Sequence, residues 1–318
     1  MKPVLLSLVI LLLGINIVLG LPFVLNLVQT KVLAIESPGY IISSNQITPP
    51  PEIKKAPPIP QSLGLPKPSL SASSALVQDL DSGTLLLVKD ASKKVPIAST
   101  TKIMTAWVAT KYFKPNDVLK VPDLSGISGS TMGLKTGEEL TFRSVLYGML
   151  LNSGNDAAYT IAANFPGGIS AFIAKMNQEA QNLNLADTHF DNPAGFDSNN
   201  HYSSAFDLAK IAAKASTDYQ IARVVATKET TVASLDKTVI HQLKNLNKLL
   251  DEPGVMGIKT GTTPAAKENL VALIERDGHK ILTVVLGSED RFGETEKLVD
   301  WTYANFTWNS QQQQVQRP

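Results

Sequence analysis

The sequence predicts an α+β domain: an antiparallel sheet flanked by helices, with a helical region inserted between the strands that build the sheet. Three observations carry this. The strand-like runs "ALVQDL" and "TLLLVK" meet at "DSG" around Gly83, a hairpin signal. The runs "ENLVALIER" and "HKILTVVLG" meet at Asp277-Gly278, a dipeptide suited to a type I′ turn. Between these two hairpins, residues 141–225 carry the apolar spacing of helices.

Taken in chain order, residues 3–30 hold no charged side chain, and their apolar run "VLLSLVILLLGINIVLGLPFVLNLV" is longer than the about 20 residues that span a bilayer as a helix. A cleaved signal has a shorter apolar core and a small-x-small site, for which "VLG" at 18–20 would serve. Residues 1–34 are therefore expected to be a transmembrane anchor or a signal segment. One lysine on each side leaves its orientation unset. Nine prolines among serines make residues 35–74 an expected extended linker. Residues 75–309 are the expected globular domain and 310–318 a disordered tail.

Within the domain, "STTKIMTAWVATKYF" has helical apolar spacing from Ile103 onward. The runs "TFRSVLYGMLL", "SAFIAKMNQEAQNL" and "SSAFDLAKIAAKA" open on Thr141, Ser170 and Ser203-Ser204, residues suited to helix N-caps. "VMGIKT" reads as a strand, and "ETEKLVDWTYANF" as a closing helix.

A net charge of +1 and the absence of any long Lys/Arg cluster argue against nucleic-acid binding. Without cysteine there is neither a disulfide nor thiolate chemistry, and four scattered histidines (His189, His201, His241, His279) offer no metal-binding spacing. Neither a metal nor a cofactor is expected.

Three short motifs remain. In "STTK", Ser99 and Lys102 stand three apart at the start of an amphipathic helix, where both lie on one face and the lysine could take the serine's proton. Such a pattern is cheap: the 25 serines and 24 lysines of this chain predict about two chance matches, and two occur. The other, "SLDK" at 234–237, has no helix behind it and reads as an exposed turn. "SGN" at 153–155 falls between helical runs, where Gly154 allows a bend that projects Ser153 and Asn155 together; "SSN" and "SNN" elsewhere lack this setting. KTG occurs twice. Lys135-Thr136-Gly137 precedes two glutamates and a helix and reads as a turn, whereas Lys259-Thr260-Gly261 follows an extended approach and precedes two strands. On a strand Lys259 would project on one face, and Gly261 would let a substrate backbone lie close.

S-x-x-K, then S-x-N, then K-T-G on a strand is the motif set of penicillin-binding proteins and serine β-lactamases. With the blocks "PIASTTKIMTA", "STMGLKTGEELTFRSVLYGMLLNSGNDAA", "THFDNPAGFD", "NHYSSAFDLAKIA" and "GIKTGTT" in this order, residues 75–309 resemble the low-molecular-mass penicillin-binding proteins, the D-alanyl-D-alanine carboxypeptidases of the DacA type. The resemblance implies the transpeptidase-like fold shared with serine β-lactamases. It implies Ser99 as acylated nucleophile, Lys102 as its base, and Ser153 and Asn155 as proton relay and substrate-amide contacts. Lys259, Thr260 and Gly261 would bind substrate, with Thr262 and Ser99 backbone N–H groups as the oxyanion hole. The implied partners are a peptidoglycan stem peptide ending in D-Ala-D-Ala and β-lactam inhibitors, met outside the cytoplasmic membrane. Two alternatives stand beside this reading. A β-lactamase would need a deacylating glutamate, nearest matched by "EAQNLN" at 179–184; a wall- or β-lactam-binding domain would keep the fold without turnover.

Overall fold

The computed structural model describes residues 56–308. The expected anchor or signal (1–34), the first part of the linker and the tail (310–318) lie outside the described residues.

The described chain starts with a short strand β1 (Gln61–Ser62), followed by the hairpin of β2 (Ser74–Asp79) and β3 (Leu85–Lys89). A 3₁₀ turn, Ala98–Thr101, runs without a break into α1 (Lys102–Tyr112). The strands β4 (Val118–Lys120) and β5 (Glu139–Thr141) pair across a long loop. Then come α2 (Phe142–Leu151), α3 (Asn155–Ala163), α4 (Gly168–Asn182), α5 (Ala205–Ala215) and α6 (Tyr219–Val225). The hairpin β6 (Glu229–Ala233) and β7 (Ile240–Lys244) leads through a second 3₁₀ turn to β8 (Val255–Thr263), β9 (Lys267–Arg276) and β10 (His279–Ser288). The helix α7 (Arg291–Asn305) and strand β11 (Phe306–Thr307) end it.

The sheet has the order β3-β2-β10-β9-β8 and is antiparallel throughout. The strands β2 and β3 sit on one side of β10 and the strands β8 and β9 on the other, so the helical middle is an insertion, as expected. Successive strand residues point to opposite faces. Leu270, Ala272 and Ile274 of β9 therefore join Ala75, Val77, Ile281 and Val285 beneath Leu298 and Val299 of α7. Val271 and Leu273 join Leu76, Leu282, Val284 and Leu286 in the larger core with α1 to α6. Burial on both faces is why these strands read as unbroken apolar runs. The helix α1 is apolar nearly all round, and its residues Ile103, Met104, Ala106, Val108 and Ala109 are all buried. A helix of that kind has to lie inside the fold.

Local signals behave as their chemistry requires. Asp277 and Gly278 both have positive φ (53° and 77°), the geometry of the expected I′ turn. Thr141 and Ser204 accept hydrogen bonds from Ser144 N and Asp207 N as N-caps. Ser170 is not a cap: α4 starts at Gly168 behind Gly167, and these two left-handed glycines turn the chain before the serine is reached. The closing helix also starts earlier than Glu294, at Arg291, because Asp290 accepts from Gly293 N.

The expected linker is shorter than 35–74. Gln61 and Ser62 pair with Thr307 and Phe306, Ala72 is buried, and buried Glu294 accepts hydrogen bonds from Ser71 N and Ala72 N. Residues 61–74 thus belong to the domain, because a buried carboxylate on α7 needs their amides. Removing residues 56–73 is expected to destabilise the domain by about 2–4 kcal/mol, through lost apolar burial and a buried Glu294 left with Ser288 Oγ but without its two backbone N–H donors. Urea unfolding of chains starting at residue 56 and at residue 74 would measure it.

Candidate active site

The three motifs converge at the N-terminal end of α1. Ser99 lies in the 3₁₀ turn, half-buried, and Lys102, the first residue of α1, has no exposed surface. Lys102 Nζ is 2.8 Å from Ser99 Oγ, 2.8 Å from Asn155 Oδ1 and 2.6 Å from Ala194 O. Asn155 Nδ2 donates to Ser128 O at 2.7 Å, which fixes the amide with its oxygen toward Lys102. Asn155 Oδ1 and Ala194 O can only accept. A neutral amine has two hydrogens, and these two acceptors take both, leaving its lone pair facing the Ser99 hydroxyl. Burial drives the Lys102 pKa well below its ordinary value, and the nearby Lys259 cation lowers it further against the opposing pull of Asp156. Both causes favour the neutral amine, the form that can accept the serine's proton.

Ser153 is buried and takes a left-handed φ of 59° at the bend between α2 and α3. Gly154 N bonds Gly148 O and Asn155 N bonds Ser130 O, so the bend is pinned from both sides. Its hydroxyl forms no hydrogen bond to another described residue and is free for a ligand. Both polar atoms of the Asn155 side chain are engaged, so one Nδ2 hydrogen is what it has left for a substrate amide.

The strand β8 carries the second KTG on the exposed edge of the sheet beside Ser99. Lys259 and Thr260 are buried, and Thr262 is exposed. Lys259 Nζ donates to Thr260 O at 3.0 Å, and its pKa falls to about 7 through burial and the Arg291 cation. A Cβ at Gly261 would meet Ser99 N at 3.0 Å, Ala98 Cβ at 3.1 Å and Ile97 O at 3.1 Å, so the glycine makes room for the serine's own turn. The first KTG is the turn it was expected to be: Glu138 N bonds Lys135 O and the Lys135 side chain is exposed. "SLDK" is likewise a turn, with Ser234 Oγ on Asp236.

Several organising residues were not singled out from the sequence. Asp156 accepts N–H bonds from Met132, Gly133, Leu134 and Ala157 and so holds the loop that carries Ser128 and Ser130. Asn192 Oδ1 accepts from Ala194 N, Gly195 N and Phe196 N, shaping the loop that presents Ala194 O. Asn269, fully buried on β9, donates to Pro96 O at 3.2 Å and ties the sheet to the segment before Ser99. Arg291 Nη1 donates to Gly261 O at 3.1 Å and to Thr262 Oγ1. An acid straight after SGN and the Asn-Pro turn were readable signals. Nothing local marked Arg291.

A serine hydrogen-bonded to a buried lysine, a bent S-x-N and a KTG edge strand, on this mixed helix–sheet fold, define a penicillin-binding, active-serine class of protein. Similarity to known proteins makes the class specific. The family described as D-alanyl-D-alanine carboxypeptidase, peptidase S11, matches residues 62–290, and the chain belongs to this family. It is 34% identical over 259 residues to a D-alanyl-D-alanine carboxypeptidase of Streptomyces sp. strain K15, covering 75% of this chain and 89% of that protein. It is 32% identical to the carboxypeptidase DacF of Bacillus subtilis, covering 74% of this chain but 63% of that longer protein. The crystal structure of the Streptomyces K15 DD-transpeptidase superposes with a TM-score of 0.72 at 33% identity, over 76% of this chain and all of that one. The family consists of cell-wall peptidases that act outside the cytoplasm. Among the described residues, no helix is long and apolar enough to cross a membrane.

This geometry can be tested at two positions. Gly261→Ala is expected to push the Ser99 turn aside and slow acylation about 10²-fold, the usual cost of a small misplacement at a reacting group, while the unfolding midpoint barely moves. Time-resolved mass of a β-lactam adduct and a thermal melt together check it. The second position is His201, whose pKa is lowered from 6.5 to about 4, chiefly by burial. Below pH 6.5 the unfolded chain binds a proton that the folded protein refuses, so stability is lost as pH falls toward about 4, by about 3 kcal/mol from this group. Urea midpoints near neutrality and near pH 4 should differ more in the wild type than in His201→Gln.

Proposed function

We propose that this protein is a serine D-Ala-D-Ala carboxypeptidase that removes the terminal D-alanine of peptidoglycan stem peptides through a Ser99 acyl-enzyme. The observation that carries the reading is the Lys102 amine, buried, with its two hydrogens committed to Asn155 Oδ1 and Ala194 O and its lone pair toward Ser99. Ser99 Oγ attacks the penultimate carbonyl and passes its proton to Lys102. Backbone N–H groups of Ser99 and Thr262 receive the developing oxyanion. Lys102 and the Ser153 hydroxyl return a proton to the departing amine of the last D-alanine. Lys259 and Thr260, with Thr262 beside Arg291, take that residue's carboxylate. Water then hydrolyses the ester, and no metal or cofactor enters the scheme. A β-lactam would occupy the same place and leave its acyl group on Ser99.

The β-lactamase alternative is weakened by where Glu179 lies. It is buried in α4 and paired with Lys111 and Lys175. Lys111 stands nine residues beyond Lys102 on α1, about 13 Å along the helix axis, so Glu179 is remote from Ser99. The membrane role rests on the apolar run at 3–30, read as an anchor with a proline-rich spacer, which would hold the domain outside the cytoplasmic membrane.

The test is intact mass against time for residues 56–318 with benzylpenicillin, alongside Ser99→Ala. A long-lived adduct absent from the variant is expected. Rapid turnover of the drug would make it a β-lactamase, and no adduct from folded protein would make it a binding domain. A D-Ala-D-Ala-ended peptide, incubated with and without a glycine acceptor, then separates hydrolysis from transpeptidation by the mass of the product.

A further inference from the structure

We infer that His201 is a positioning residue: through Thr101 it fixes the peptide plane that aims the Ser99 N–H. The inference rests on the proposed role of Ser99 and goes beyond it.

His201 is 2% exposed and lies where the loop before α5 meets the start of α1. Its tautomer is set by two independent contacts. Nδ1 accepts from Asp191 N at 3.0 Å, and the Asn192 amide nitrogen also faces it at 3.4 Å, so Nδ1 carries no hydrogen. On the other side Nε2 is 2.7 Å from Thr101 Oγ1. The one hydrogen of that hydroxyl goes to Ala98 O, at 2.8 Å. Nε2 must therefore be the donor, and a directed chain results: His201 Nε2–H to Thr101 Oγ1, and Thr101 O–H to Ala98 O.

The end of this chain is what matters. Ala98 has a left-handed φ of 47°, which alanine adopts only when its surroundings impose it. The peptide joining Ala98 to Ser99 is planar, so the direction of the Ala98 carbonyl dictates the opposite direction of the Ser99 N–H. That N–H is the donor the oxyanion needs, and its worth depends on its aim. The Ala98 carbonyl is held on one side by the Thr101 hydroxyl. On the other it is hemmed by Gly195, where any Cβ would lie 1.9 Å from the carbonyl oxygen. Gly195 belongs to the loop that gives Ala194 O to Lys102, and that loop is shaped by Asn192, which touches His201. One imidazole thus keeps the oxyanion donor and the support of the base in a fixed relation, although it touches neither the substrate nor Ser99.

The acylation rate constant and the saturation constant for benzylpenicillin separate this role from a merely structural one. Thr101→Val, which removes the hydroxyl but keeps the volume, is expected to slow acylation about 10²-fold at an unchanged saturation constant, with Thr101→Ser restoring most of the rate. His201→Leu should slow it similarly, and His201→Gln, able both to accept and to donate, should recover at least tenfold. Because both act through one carbonyl, the double variant should be no slower than the worse single one. Folded Thr101→Val acylating at the wild-type rate would overturn the inference, and so would additive losses in the double variant. Should His201→Leu not fold, Thr101→Val and Thr101→Ser decide the matter alone. An adduct absent even from the wild type would instead sink the reading of Ser99 itself.

Discussion

A lysine amine with no exposed surface can serve as a base only if its surroundings keep it uncharged and still satisfy its hydrogens, and the rest of this site is arranged around that requirement. Burial within an apolar helix disfavours the ammonium form of Lys102. Two acceptors, one at the start of α3 and one on the loop at Ala194, then take the hydrogens of the neutral amine. Neither acceptor belongs to α1, so each needs its own means of staying in place. Asp156 gathers four backbone N–H groups around the segment that fixes Asn155, and Asn192 gathers three around the segment that offers Ala194 O. A carboxylate and an amide are suited to this because each offers several lone pairs in a small volume.

The sheet supplies the opposite wall by coming very close. Glycine at 261 removes the one atom that would separate β8 from the Ser99 turn, and glycine at 195 does the same for the loop across from it. Asn269 reaches from β9 to Pro96 O and to Gly287 N, which locks that approach from within the sheet. The reacting serine is therefore held between two backbones rather than between side chains. Backbone placed on a sheet and a buried helix moves less than a side chain does, which suits a group whose reactivity depends on fractions of an ångström.

Much of this was legible. The apolar runs of β9 and β10, the Asp277-Gly278 turn and the caps at Thr141 and Ser204 are local chemistry, and they appear where local chemistry places them. The choice between two S-x-x-K matches and two KTG copies also came out of context, since a motif before an apolar helix or on a strand has something to hold it. What failed to show was tertiary. Proline-rich residues 61–73 read as linker because nothing in them reveals that Glu294, more than two hundred positions on, needs their amides. Arg291 lay before the expected closing helix, and its reach to Gly261 O and Thr262 exists only once the end of β8 comes near the start of α7. His201 stood among four histidines with no metal-binding spacing, and nothing in the sequence showed that its partner Thr101 lies inside the nucleophile motif.

The balance of charge in the groove bears on which substrates fit. Lys259 is buried, and its one hydrogen bond to a described residue is to Thr260 O, so no acid among the described residues is bonded to it. Burial lowers the pKa of Lys259 to about 7, with a smaller push from the Arg291 cation, which bonds Gly261 O and Thr262 Oγ1. A buried cation without a counter-ion is costly, and it is relieved when a carboxylate arrives. A peptide ending in a free carboxylate brings that charge with it; an internal amide does not, and would leave Lys259 facing a neutral group. The same arrival favours the charged form of Lys259, so binding of such a substrate should draw a proton onto the site near and above neutrality. The same change bears on Lys102 in the opposite sense: burial is the largest cause of its lowered pKa, and a charged Lys259 lowers it further. The two buried lysines thus respond differently to an arriving carboxylate, the charged form being favoured at Lys259 and disfavoured at Lys102.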